Sequence, residues 1–86
     1  MTLLLTPTVN HNGTSRGDLV QQRLVASVAI DAAIDALKGM TPHGRDYPNG
    51  ADALNADRDI HWTRIGALAA LRDAIVQEGV TLMSND

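Results

Sequence analysis

The chain has 86 residues, 44% of them apolar but only 2% aromatic, which allows one domain with an aliphatic core and no large ring to anchor it. A net charge of −3 argues against a duplex nucleic-acid binder, and the lack of Cys removes disulfides, thiolate metal sites and a cysteine nucleophile. The apolar start Leu3-Leu4-Leu5 is too short for a signal-peptide core and runs into Pro7, so no membrane or export address is expected; a core this small also predicts self-association.

Residues 1–14 read as an N-terminal arm, with extended chain around Pro7 and a turn at Asn10-His11-Asn12-Gly13 that places Gly13 at positive φ. Ser15 is the expected N-cap of a first helix, with Asp18 at the capping-box position. Leu19, Ala26, Ile30, Ala33 and Leu37 recur at helical spacing, interrupted by Arg23 and widened by Val20, Leu24 and Ile34. Lys38-Gly39, with Gly39 in the left-handed region, and then Pro42 end this helix, which spans about 16–38.

Residues 39–50 hold two prolines and three glycines and predict an irregular loop. A second helix follows over about 51–82, opened by Asp52 and carrying Leu54, His61, Ile65, Leu68 and Ile75 on one stripe that fades from Gly79. Gly66 inside it costs about 1 kcal/mol against Ala unless another backbone comes close. With the alanines of both helices it predicts tight helix approach. The whole reads as an all-α antiparallel helical hairpin over 15–86 with an extended N-terminal arm. Both helices carry apolar residues on more than one face, so the hairpins are expected to assemble into a homo-oligomeric helical bundle.

Three places offer chemistry. His11, Asn12, Gly13, Thr14, Ser15 and Arg16 bring hydroxyls and a guanidinium to the start of helix 1, where unpaired N–H groups favour an anion; an ordinary cap needs only one of those hydroxyls. Arg45, Asp46 and Tyr47 in the loop combine a phosphate-matching fork, an acceptor for a base amino group or ribose hydroxyl, and a stacking ring. The competing reading has Tyr47 packed over the end of its own hairpin. Arg58 on helix 2 is a further ligand candidate; Trp62 reads as an interface or core anchor, and Asp57 with His61 as too few ligands for a metal. Helix 1 is about 35 Å long, so the first two motifs lie at opposite ends of one hairpin and meet only between subunits. No nucleophile elbow, phosphate-binding glycine loop or dinucleotide fingerprint occurs, so binding without turnover is expected, with no cofactor and no metal.

Asn12-Gly13-Thr14-Ser15 before helix 1 and Gly44-Arg45-Asp46-Tyr47-Pro48 before helix 2 resemble a family of small bacteriophage helical-hairpin proteins, over about residues 10–75. In architecture the chain is also similar to anti-defence sponges of the anti-CBASS and anti-Thoeris kind, which sequester nucleotide immune signals. The resemblance implies a homo-oligomer in the cytoplasm of an infected bacterial host. It also implies a small nucleotide-derived signalling ligand, held without cleavage in intersubunit pockets. The rival expectation is a helical phage adaptor or inhibitor that docks on a host or virion protein through its second apolar face.

Overall fold

The computed structural model describes residues 3–84; the two residues at each end, expected in the arm and the hairpin, lie outside it. Helix α1 spans Arg16–Lys38, a single 3-10 turn Gly44–Asp46, and helix α2 Ala51–Ser84. Among the described residues there is no strand. The two helices pack as an antiparallel hairpin measuring 62 × 22 × 17 Å.

The start of α1 follows from the Ser15 side chain, whose Oγ accepts the backbone N–H of Asp18 at 3.1 Å. Its end differs from expectation. Gly39 is right-handed, at φ −67, because the helix leaves through a tightening series of i to i+3 bonds from Gly39, Met40 and Thr41 to Ala36, Leu37 and Lys38, which needs no left-handed residue. Gly13 likewise is not at positive φ: the turn is closed by its N–H on the Asn10 carbonyl and by the Asn10 side chain accepting from Asn12 N–H. The positive φ falls instead on Gly50, at +127, just before α2.

Helix α2 runs two residues beyond the expected end near 82, and its last turns are among its best packed, with Glu78, Gly79 and Leu82 buried. The weakening apolar pattern there conceals a polar reason for burial. The Glu78 carboxylate receives Arg23 Nε at 3.2 Å through Oε1 and the backbone N–H of Leu5 at 2.9 Å through Oε2. One buried side chain thus ties α1, α2 and the arm together. Arg23 also donates to the Leu19 carbonyl.

Apart from this, the seam is thin. Its buried apolar residues are Ile34, Ile65, Ala74 and Leu82, and no large side chain among the described residues is less than 2% exposed. Gly66 does not serve close approach, since a Cβ there would meet nothing within 4 Å. The isoleucines and Leu82 set the helix separation, and Ala29, Ala32, Ala33 and Ala36 remain exposed.

Candidate functional site

Helix α2, at 34 residues, outruns the 23 of α1, so its first turns extend past the end of α1 and the loop folds back alongside them. His43 shapes the loop: its Nδ1 accepts from Arg45 N–H and caps the 3-10 turn, the one regular piece in a segment expected to have none. Tyr47 then reaches α2, where its phenol donates to the Asp57 carboxylate. Arg58, one residue on, donates Nε to the Pro42 carbonyl at 3.2 Å. Loop and helix start are thereby clipped together at two points.

A third clip lies below. The Thr41 hydroxyl donates to the Lys38 carbonyl at 2.7 Å, so at its 3.1 Å contact with buried His61 it accepts from Nε2–H. The Trp62 ring sits edge-on to His61 at 5.2 Å and is half exposed, so it is no anchor of the hairpin's own core. Asp57 and His61 are committed to different partners rather than to each other, and among the described residues no group of three His, Cys, Asp or Glu is placed to hold a metal ion.

Charges of both signs remain unpaired at this end among the described residues, with the Asp46, Asp52 and Asp59 carboxylates alongside the arginines. Arg45 is exposed, and among the described residues its guanidinium has no partner; Arg64 is in the same condition, and Arg58 uses only Nε. Asp46 is exposed beside them and makes no ion pair with Arg45. Met40, Pro42, Asp57, Ile60, His61 and Arg64 line a cleft of about 180 Å³. That is less than the roughly 300 Å³ at which small-molecule sites begin, so this cleft by itself does not enclose a dinucleotide.

Hydrogen bonding to Asp57, with some loss of solvent and the negative charge of Asp57 and Asp46, raises the Tyr47 phenol above its ordinary 10.0. The neutral phenol is the form that donates. Its contribution to stability is therefore complete below about pH 10 and lost as pH rises through the raised folded-state value. With one Tyr in the chain, the tyrosinate absorbance titration reads this directly: the midpoint is expected above 10.0 and back towards it in Asp57→Asn. A wild-type midpoint at or below 10.0 refutes the clip.

At the opposite end of the hairpin the arm motif behaves mostly as a cap. Ser15 serves Asp18 N–H, and the Asp18 carboxylate occupies the first turn, where it already offsets the positive end of the helix. His11, Asn12, Gly13 and Thr14 are exposed and Arg16 is half-buried. Thr14 and Asp18 line one open hollow with Gln21, Gln22 and Val25. The structure therefore brings Arg45, Asp46, Tyr47 and Arg58 together and leaves residues 11–16 far from them. Asn10 organises the arm turn through its side chain as well as its carbonyl, and Glu78, which no local motif marks, joins the arm to both helices. No helix among the described residues is long and apolar enough to cross a membrane. No family model matches the chain, and neither does any curated protein or solved structure.

Proposed function

We propose that this protein is an anti-defence sponge of the bacteriophage type, which binds a cyclic nucleotide or cyclic ADP-ribose-like messenger in pockets between copies and withholds it uncleaved. The observation that carries the reading is the loop end, where an unpartnered Arg45 guanidinium stands two residues from a half-exposed Tyr47 ring fixed by Asp57. A guanidinium fork matches a phosphate, a fixed ring stacks on a base at low entropic cost, and Asp46 accepts from an amino or hydroxyl group. Arg58, held by Nε, keeps its two terminal nitrogens for the same anion. Nanomolar retention needs about −12 kcal/mol, and Arg45, Asp46, Tyr47 and Arg58 stand on an open surface outside the neighbouring 180 Å³ cleft, so on this reading a second copy completes the pocket. Its natural contribution is the arm motif, His11 to Arg16.

The purified protein is incubated with cyclic dinucleotides, cyclic trinucleotides and ADP-ribose isomers, then heated to release what it holds. Intact recovery of one of them supports the sponge; an altered product supports an enzyme. Arg45→Ala is expected to weaken a confirmed ligand about 10-fold or more with helix content unchanged, as loss of one charge-assisted bond requires. Unchanged affinity refutes the loop site. The alternative, an adaptor or inhibitor docking on a host or virion protein, is favoured by the exposed Leu24, Val28, Val76, Val80 and Met83. It predicts no binding to any member of the panel.

A further inference from the structure

An asparagine followed by glycine can close on itself. The glycine nitrogen, once deprotonated, attacks the side-chain carbonyl carbon, and the missing Cβ on that glycine leaves room for the five-membered ring. The chain has two such pairs, Asn12-Gly13 in the arm turn and Asn49-Gly50 immediately before α2, and both asparagines are exposed. By residue type the two are equivalent. Their backbone surroundings are not.

The arm pair is held from both sides by Asn10. Its side-chain Oδ1 accepts from Asn12 N–H at 3.0 Å, and its carbonyl accepts from Gly13 N–H at 3.1 Å. The Asn10 amide also stands beside Gly13, 3.1 Å from where a Cβ would lie. The nitrogen that must attack is therefore bonded away from the Asn12 side chain, and the peptide between them turns only by giving up that bond.

The loop pair is loose. Gly50 N–H reaches the Tyr47 carbonyl only at 3.4 Å, longer than an ordinary N–H···O bond, and Asn49 N–H has no partner among the described residues. A Cβ at Gly50 would meet nothing within 4 Å, so the peptide has open space to turn in. The other described asparagines are disqualified by different means. Asn10 spends its amide on the Thr8 carbonyl and Asn12 N–H and precedes the bulky His11, whereas Asn55 lies inside α2, where the following N–H is directed along the helix axis.

We propose that Asn49-Gly50 is a site of self-modification in the folded protein, and that Asn10 protects Asn12-Gly13 from the same reaction. The Gly50 nitrogen gives its proton to solvent base and forms a bond to Asn49 Cγ; the Cγ–Nδ2 bond breaks and the amide nitrogen leaves as ammonia. One water then opens the cyclic imide. Opening at the side-chain carbonyl gives aspartate, and opening at the main-chain carbonyl gives isoaspartate, whose main chain is one carbon longer. Either product sets a carboxylate just ahead of the first turn of α2, where the helix dipole favours it, so the helix accepts the change. The same step adds one negative charge to the loop that carries Arg45. Nothing in it depends on the nucleotide reading.

The full chain is incubated in mildly alkaline buffer, both folded and in urea, and then cleaved after its arginines, which separates residues 1–16 from residues 46–58. A mass gain of about 1 Da on fragmentation, with methylation by an isoaspartyl methyltransferase, locates the product. In the folded chain Asn49 is expected to react at least about 5-fold faster than Asn12, the difference that one good hydrogen bond on the attacking nitrogen makes. In urea the two rates are expected to converge. Asn10→Ala, which leaves the loop untouched, is expected to raise the Asn12 rate towards that of Asn49 with helical circular dichroism unchanged. Equal rates in the folded wild type, a faster Asn12, or an intact Asn49 once the urea sample has reacted each overturn the proposal. So does an Asn12 that stays protected in Asn10→Ala.

Discussion

Glu78→Ala is expected to destabilise the hairpin by about 3–5 kcal/mol, read as a lower urea midpoint at fixed protein concentration. The magnitude follows from what is stranded rather than from what the ion pair is worth. The Glu78 side chain is 7% exposed and Arg23 13%, so removing the carboxylate leaves a guanidinium in a nearly dry seam with only the Leu19 carbonyl to receive it. Alanine itself suits the helix, so backbone propensity does not explain a loss. A control separates charge from shape: Arg23→Met with Glu78→Leu removes both charges, and paired apolar replacement is expected to restore most of the loss. The Leu5 N–H loses its acceptor in either case, so the arm should become protease-sensitive even in the restored double variant. Full wild-type stability of Glu78→Ala would mean that the carboxylate is not part of the packing.

Leu82→Ala ranks next, at about 2–5 kcal/mol. Leu82 is 3% exposed, the lowest value among the buried apolar residues, and it shares the walls of a hollow with the arm residues Leu4, Leu5 and Pro7. Total stability in a small domain is about 5–15 kcal/mol, so this truncation takes a large share. Val25→Ala, at a side chain 59% exposed, is the internal comparison and should shift the midpoint little. Equal effects at both positions would refute the packing described.

The helix limits were legible because their punctuation is local: Ser15 with Asp18 at one end of α1, Pro42 beyond the other, and Gly50 ahead of α2. The turn geometry was less so. A glycine signals freedom without saying whether it is used, and side-chain acceptors such as Asn10 or serial i to i+3 bonds do the work that positive φ was expected to do at Gly13 and Gly39. In the loop, Arg45, Asp46 and Tyr47 stood out by residue type, but not that Tyr47 would hold Asp57 or Arg58 the Pro42 carbonyl. Those bonds depend on α2 outrunning α1, a tertiary fact. Glu78 had a signal that could have been read: Arg23 interrupts the apolar stripe of α1, Glu78 falls among Ile75, Val76, Gly79 and Val80, and two opposite charges inside two apolar stripes of a hairpin call for each other.

The bond from Leu5 to Glu78 spans 73 positions of chain and sets an order of events during synthesis. The arm and α1 leave the ribosome ahead of α2, and neither reaches its partner until the last turns of α2 have been made. Until then Arg23 faces water and the Leu5 N–H has no carboxylate to meet. The folded hairpin is therefore reached after translation of α2 rather than piece by piece, and the interval before α2 is complete is when its aliphatic surfaces are most open to capture by a chaperone.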